Sequence, residues 1–181
     1  MTADEVKRLL GLTPHPREGG FYIRTYESDE MLPPALFADG RYSGARPTAT
    51  AIYYLLEPGT FSEMHRLRSD EIFHFYAGDP VEMLQLYGDG TGATVRLGNR
   101  LTEGERPQVV VPRCVWQGSQ LAPGGTWALL GCTVSPGFDF DDYEAASRED
   151  LLAQWPAFGR LIETLTHADS CPTQDEPERG I

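Results

Sequence analysis

Residues 59–78 read GTFSEMHRLRSDEIFHFYAG, and the rest of the chain is organised around them. His65, Glu71 and His74 fall within one short stretch, and Gly59 and Gly78 stand at its two ends, where the backbone has to turn. An imidazole and a carboxylate this close in sequence can hold a metal or move a proton. The run Ile72-Phe73-His74-Phe75-Tyr76 is that of a strand, so at least one of the carboxylates at its head, Asp70 and Glu71, abuts the buried side and needs a neutralising partner, and Glu71 is taken as the candidate. Alternation along that strand separates Glu71 from His74 by an odd offset, which puts the two on opposite faces. His74 is therefore the less central of the three. It is kept as a candidate ligand-binding residue and as one that packs outward or at a subunit interface.

At 181 residues the chain is long enough to bury one substantial core, and residues 1–166 are read as a single domain. A formal charge of −12 argues against nucleic acid and anionic membrane surfaces as partners. No apolar run reaches the length of a membrane span, and the start, MTADEVKRLLGL, lacks a signal-peptide core, so a cytoplasmic location is the default expectation. Cys114, Cys132 and Cys171 form no CxxC pair and read as reduced thiols.

Thr2 or Asp4 can cap a short helix through about Leu10, which Gly11 ends. PHPREGG follows as a turn-rich connector, and Phe21–Tyr26 alternates as a half-buried strand. Residues 27–47, with Pro33-Pro34, Gly40 and Gly44, read as a long loop. Strands are expected at Thr48–Leu56, Glu71–Tyr76, Val81–Tyr87, Ala93–Leu97, Val109–Val111, Val115–Trp116 and Thr126–Val134, with GDGTG turning a hairpin at 88–92. Short strands at close spacing favour an antiparallel sandwich or barrel over βαβ units. Ser147 can cap a helix over Arg148–Gln154, and a second helix is expected near Phe158–Leu165. The polar tail 167–181 is expected to be disordered.

The spacing Gly59–His65–Leu67–Glu71–Gly78 resembles the first cupin motif, in which Gly, five residues, His-x-His, three or four residues, Glu, six residues and Gly follow one another. Leu67 replaces the second His. The second cupin motif survives only as a shape: PRCVWQ puts Gln117 where the family has His, Gly104 stands too far from Pro112, and Leu121 replaces an Asn. PHPREGGFYIRTY, SDEIFHFYAGDPVEMLQL, VVPRCVWQ and SPGFDFDDYEAASREDLL resemble, together, the cupin subfamily DUF985, or Cupin_5, over roughly residues 4–165. The resemblance implies an all-β double-stranded β-helix, a jelly-roll barrel with a short N-terminal helix and C-terminal helices, usually dimeric and with a pocket inside the barrel. It implies no settled reaction.

The residues themselves allow three functions. In the first, the protein is a metal-independent isomerase, epimerase or lyase acting on a sugar-like or keto compound. His65 is then the acid/base, Glu71 its partner or a substrate contact, and an inward tyrosine the acid. Tyr53 and Tyr54 are adjacent, so one ring faces inward whichever way the strand lies; Tyr53 is assigned to the site, and the strand's direction is left open. Gln117, Gln85, Tyr87 and Trp116 are candidate ligand contacts. In the second, a divalent metal is held by His65, Glu71 and Gln117 in an oxygenase-type site, although no cofactor is obligatory. In the third, the cavity binds a small molecule without chemistry. A homodimer is expected, since large aromatics and His74 cannot all face one cavity.

Overall fold

The computed structural model describes residues 1–167, and the expectation of a disordered tail falls, beyond His167, outside the described residues. The chain opens with α1 (Ala3–Leu10), where the Thr2 hydroxyl accepts from the Glu5 amide and the Glu5 carboxylate accepts from the Thr2 amide. Gly11, in the left-handed region, ends it. Strands β1 (Thr13–Pro14), β2 (Phe21–Glu27), β3 (Met31–Leu32), β4 (Arg46–Pro47), β5 (Thr50–Leu56), β6 (Phe61–Arg66), β7 (Asp70–Gly78), β8 (Val81–Leu86), β9 (Gly92–Leu97), β10 (Gln108–Val111), β11 (Trp116–Leu121), β12 (Ala128–Ser135) and β13 (Glu144–Ala145) follow. Helices α2 (Arg148–Gln154) and α3 (Gly159–Thr164) close the described chain.

The strands form two antiparallel sheets, in the orders β1-β2-β5-β12-β7-β10 and β13-β6-β11-β8-β9, while β3 pairs with β4 inside the 27–47 excursion. This is the antiparallel barrel expected from the strand spacing, with the jelly-roll form that the family resemblance implies. The inward residues follow from the period of two. Tyr54 and Leu56 of β5, Phe73 and Phe75 of β7, Val81 and Met83 of β8, and Leu130 and Cys132 of β12 make one apolar interior. Outside the five-stranded sheet, Leu151, Trp155, Ile162 and Leu165 bury Met64, Leu84 and Leu86. Outside the six-stranded sheet, Val6 and Leu12 pack on Leu55 with Phe21, Ile23 and Tyr53.

β6 was not apparent as a strand, because its inward positions are polar. Ser62 lies opposite Ser119 and His65 opposite Gln117, with a register shift between them at Gly118. Ser62 and His65 are three residues apart, an offset that a regular strand would send to opposite faces. The bulge turns both toward the interior, and both are fully buried. Gly118 makes it possible, since a Cβ there would lie 2.8 Å from Met64 Sδ.

Candidate functional site

β7 positions the acid. Glu71 precedes the inward Phe73 by two residues, so the alternation that buries Phe73 and Phe75 carries the Glu71 carboxyl into the barrel, where it is 7% exposed. β6 and β11 supply its neighbours. Gln117 Nε2 lies 3.1 Å from Glu71 Oε2 and 2.8 Å from His65 Nε2. The other ring nitrogen of His65 lies 2.8 Å from the Glu63 carbonyl, which can only accept, so Nδ1 carries the hydrogen and Nε2 is the acceptor. Both hydrogens of the Gln117 amide are thereby used, one on the imidazole and one on the carboxyl. Gln117 Oε1 and Ser119 Oγ, both buried, have no protein partner, which leaves them to water or a ligand. Tyr143 stacks on the His65 ring at 4.9 Å and donates from its hydroxyl to Glu63 at 2.6 Å.

A cavity of about 190 Å³ opens beside this array. Its walls include Tyr22, Ile52, Val134, Phe138 and Phe140, and Glu71, Glu18 and His15 are among its polar lining. His65 and Gln117 are not on the wall; they stand behind it, with Glu18 Oε1, on the wall, 3.8 Å from His65 Nε2. Glu18 and His15 come from the connector between β1 and β2. Gly19 and Gly20, both left-handed, let that connector press onto the barrel: a Cβ on Gly19 would sit 2.4 Å from the Phe61 carbonyl, and one on Gly20 2.8 Å from that of Leu55. The Tyr54 hydroxyl donates to the Gly19 carbonyl at 2.9 Å, and the Glu63 amide donates to that of Glu18 at 2.9 Å. The adjoining segment, Phe138 to Tyr143, meets the connector through Arg17 and His15 at Phe140 and is held by the buried ion pair of Arg46 with Asp142, at 2.7 and 2.9 Å.

Burial holds the Glu71 carboxyl well above the usual carboxylate range, and the nearby Glu18 carboxylate raises it further. Burial also lowers the His15 imidazole, against the opposing pull of Glu18. The Cys132 thiol and the Tyr54 and Tyr143 phenols are pushed up by burial and stay neutral.

Among the residues picked from sequence, His65, Glu71 and Gln117 converge. Gln85 is inward beside Gln117, but its amide donates to the Val110 carbonyl and its oxygen accepts from Tyr87, so this pair is spent on the barrel itself and does not line the cavity. Tyr53 is a correction: α1 covers its face of β5, its ring meets Tyr76 edge-on at 5.9 Å outside the sheet, and Tyr54 is the inward tyrosine. Trp116 also faces outward, under Arg66 and against the helices, because its neighbour Gln117 takes the inward position. His74 lies on the outer face with Tyr76, as its odd offset from Glu71 requires. His15, Glu18 and Tyr143 were not singled out, and the signal for the first two was the Glu-Gly-Gly run that ends the connector.

The donor set does not fit a metal. Neither imidazole offers the cavity a free lone pair, since His65 Nε2 accepts from Gln117 and His15 Nδ1 accepts from the Arg17 and Glu18 amides. Among the described residues no three His, Cys, Asp or Glu side chains cluster as ligands.

An antiparallel jelly roll with a polar array on β6, β7 and β11 inside it is the architecture that the cupin resemblance implies. The Cupin_5 family, described as cupin superfamily (DUF985), matches residues 4–146, and the chain belongs to it. It is 37% identical to protein SO0799 from Shewanella oneidensis, a solved structure with a TM-score of 0.81, over 92% of this chain and 98% of that one. A hypothetical protein from Leishmania major is 31% identical, with a TM-score of 0.83, over 92% and 99%. The uncharacterized yeast protein YML079W, from Saccharomyces cerevisiae, is 31% identical over 75% of this chain and 71% of its own.

Proposed function

We propose that this cupin binds a small, uncharged, carbonyl-bearing or sugar-like compound and moves a proton on it, as an isomerase, epimerase or lyase does. The observation that carries the reading is a buried carboxyl, Glu71, on a cavity wall that also bears a second carboxyl, Glu18, and burial pushes the Glu71 pKa upward. Two carboxyl groups in unequal environments divide into an acid and a base. Glu18 takes the proton from the carbon beside the carbonyl, and the C–H electron pair becomes the double bond of an enolate. Glu71 then gives its proton to form the new bond, and exchange with solvent resets both groups. His65, assigned the acid/base role from sequence, becomes a positioning residue: its Nε2 holds the Gln117 amide, which holds Glu71. The Glu18 carboxylate disfavours an anionic ligand, and Arg24 on the wall is already paired with Glu27.

The experiment is an incubation with neutral aldoses, ketoses and short keto compounds in D2O, followed by proton NMR. Wild-type protein is expected to replace a carbon-bound hydrogen of one compound with deuterium, and Glu71→Gln is expected not to. Binding without exchange across the panel would contradict catalysis and leave a ligand-binding cupin.

A further inference from the structure

We infer that His15 is a third catalytic residue of this cavity, a neutral hydrogen-bond donor that grips the ligand's carbonyl oxygen through Nε2–H. The inference rests on the acid–base reading given above. The ring lies on the cavity wall with its side chain only 4% exposed. Its Nδ1 accepts backbone N–H groups from Glu18 at 2.8 Å and Arg17 at 3.3 Å. An N–H can only be accepted by a bare nitrogen, so the ring's single hydrogen is on Nε2. That nitrogen stands 3.8 Å from Glu18 Oε1, too far for a hydrogen bond, and its N–H is left for the cavity. Edge contacts with Tyr22 at 4.6 Å and Tyr54 at 6.4 Å fix the ring's plane.

The tautomer narrows the role. His15 is no base toward the ligand, because its bare nitrogen faces backbone amides. It is no metal ligand at Nε2, because that atom has no lone pair. What remains is a donor, and its target is an acceptor oxygen. Proton abstraction beside a carbonyl builds negative charge on the carbonyl oxygen, and a fixed neutral donor stabilises that charge without having to reorganise. The connector thus delivers two groups with separate tasks: Glu18 at the carbon–hydrogen bond and His15 at the oxygen.

The test has two arms. In the first, ligand-free wild-type protein with ¹⁵N-labelled histidine is examined by long-range ¹H–¹⁵N correlation, with His15 assigned by its loss in His15→Asn. The expected pattern is Nε2 protonated and Nδ1 bare. A ring protonated on Nδ1 would overturn the inference and leave the role of Glu71 standing. In the second, dihydroxyacetone and xylulose are titrated against their reduced counterparts, glycerol and xylitol. Wild-type protein is expected to prefer the keto compounds, and His15→Asn, which keeps an acceptor for the backbone amides, is expected to lose about tenfold in keto affinity with its melting temperature maintained. Equal keto affinity in folded His15→Asn would overturn the inference alone. No keto preference in the wild type would overturn the carbonyl assignment as well.

Discussion

Replacing Glu71 by Gln should uncouple folding stability from pH in a defined direction. Burial and the Glu18 carboxylate raise the folded-state pKa of Glu71 above its unfolded value. Between those two pKa values the folded protein holds a proton that the unfolded chain has released. Stability is therefore complete below the unfolded value, near pH 4.3 for an ordinary glutamate, and is lost as pH rises through the folded pKa. One proton corresponds to about a tenfold loss in the folding constant per pH unit over that window. Gln at position 71 is nearly isosteric, keeps an oxygen to accept from the Gln117 amide at 3.1 Å, and cannot ionise. Urea unfolding of both proteins at half-unit steps from pH 4.5 to 7.5 gives the difference directly, and contributions from other groups largely cancel. Wild type should lose stability relative to Glu71→Gln as pH rises, by about one power of ten per unit at the steepest. A flat difference, or one of opposite sign, would refute a protonated Glu71.

Further outcomes follow from other contacts. Tyr54→Phe removes the hydroxyl that donates to the Gly19 carbonyl, and should cost about 1–2 kcal/mol by urea unfolding, with the Glu18 connector loosened in hydrogen exchange. Arg46→Met strands the buried Asp142 carboxylate and should cost about 3–5 kcal/mol, most of it recovered in Arg46→Met/Asp142→Leu. We also propose a homodimer formed through the outer face of the six-stranded sheet, where Tyr26 and Tyr76 are exposed and His74 lies beside Tyr76; light scattering at about 10 µM, well above the dissociation constant of a stable dimer, should give twice the chain mass, and Tyr76→Glu should halve it.

The barrel and the His65–Glu71–Gln117 array were legible because they depend on local spacing and on the period of two. Gly59 and Gly78 bound a stretch that holds His65 on β6 and Glu71 on β7, and Gln117 falls on β11, the strand paired with β6. The remainder depended on contacts between distant segments. Alternation requires one of Tyr53 and Tyr54 to face inward, but the choice is made by α1 and the residues just after it, which pack Val6 and Leu12 outside β5. β6 was hidden because Ser62 and His65 break alternation, and only its pairing with Gly118 shows the bulge. His15 and Glu18 looked like turn residues because what brings them to the cavity is the approach of Gly19 and Gly20 to backbone on β5 and β6.

The acid on the wall is the core of the account, and it can be observed as such. Protein with ¹³C-labelled glutamate carboxyl groups, titrated by NMR from pH 3 to 9 beside Glu71→Gln, isolates the one resonance that the variant lacks. The account predicts that this resonance stays in its protonated position past the range where ordinary glutamates ionise and moves only well above it. A Glu71 signal that titrates together with the surface glutamates would contradict it.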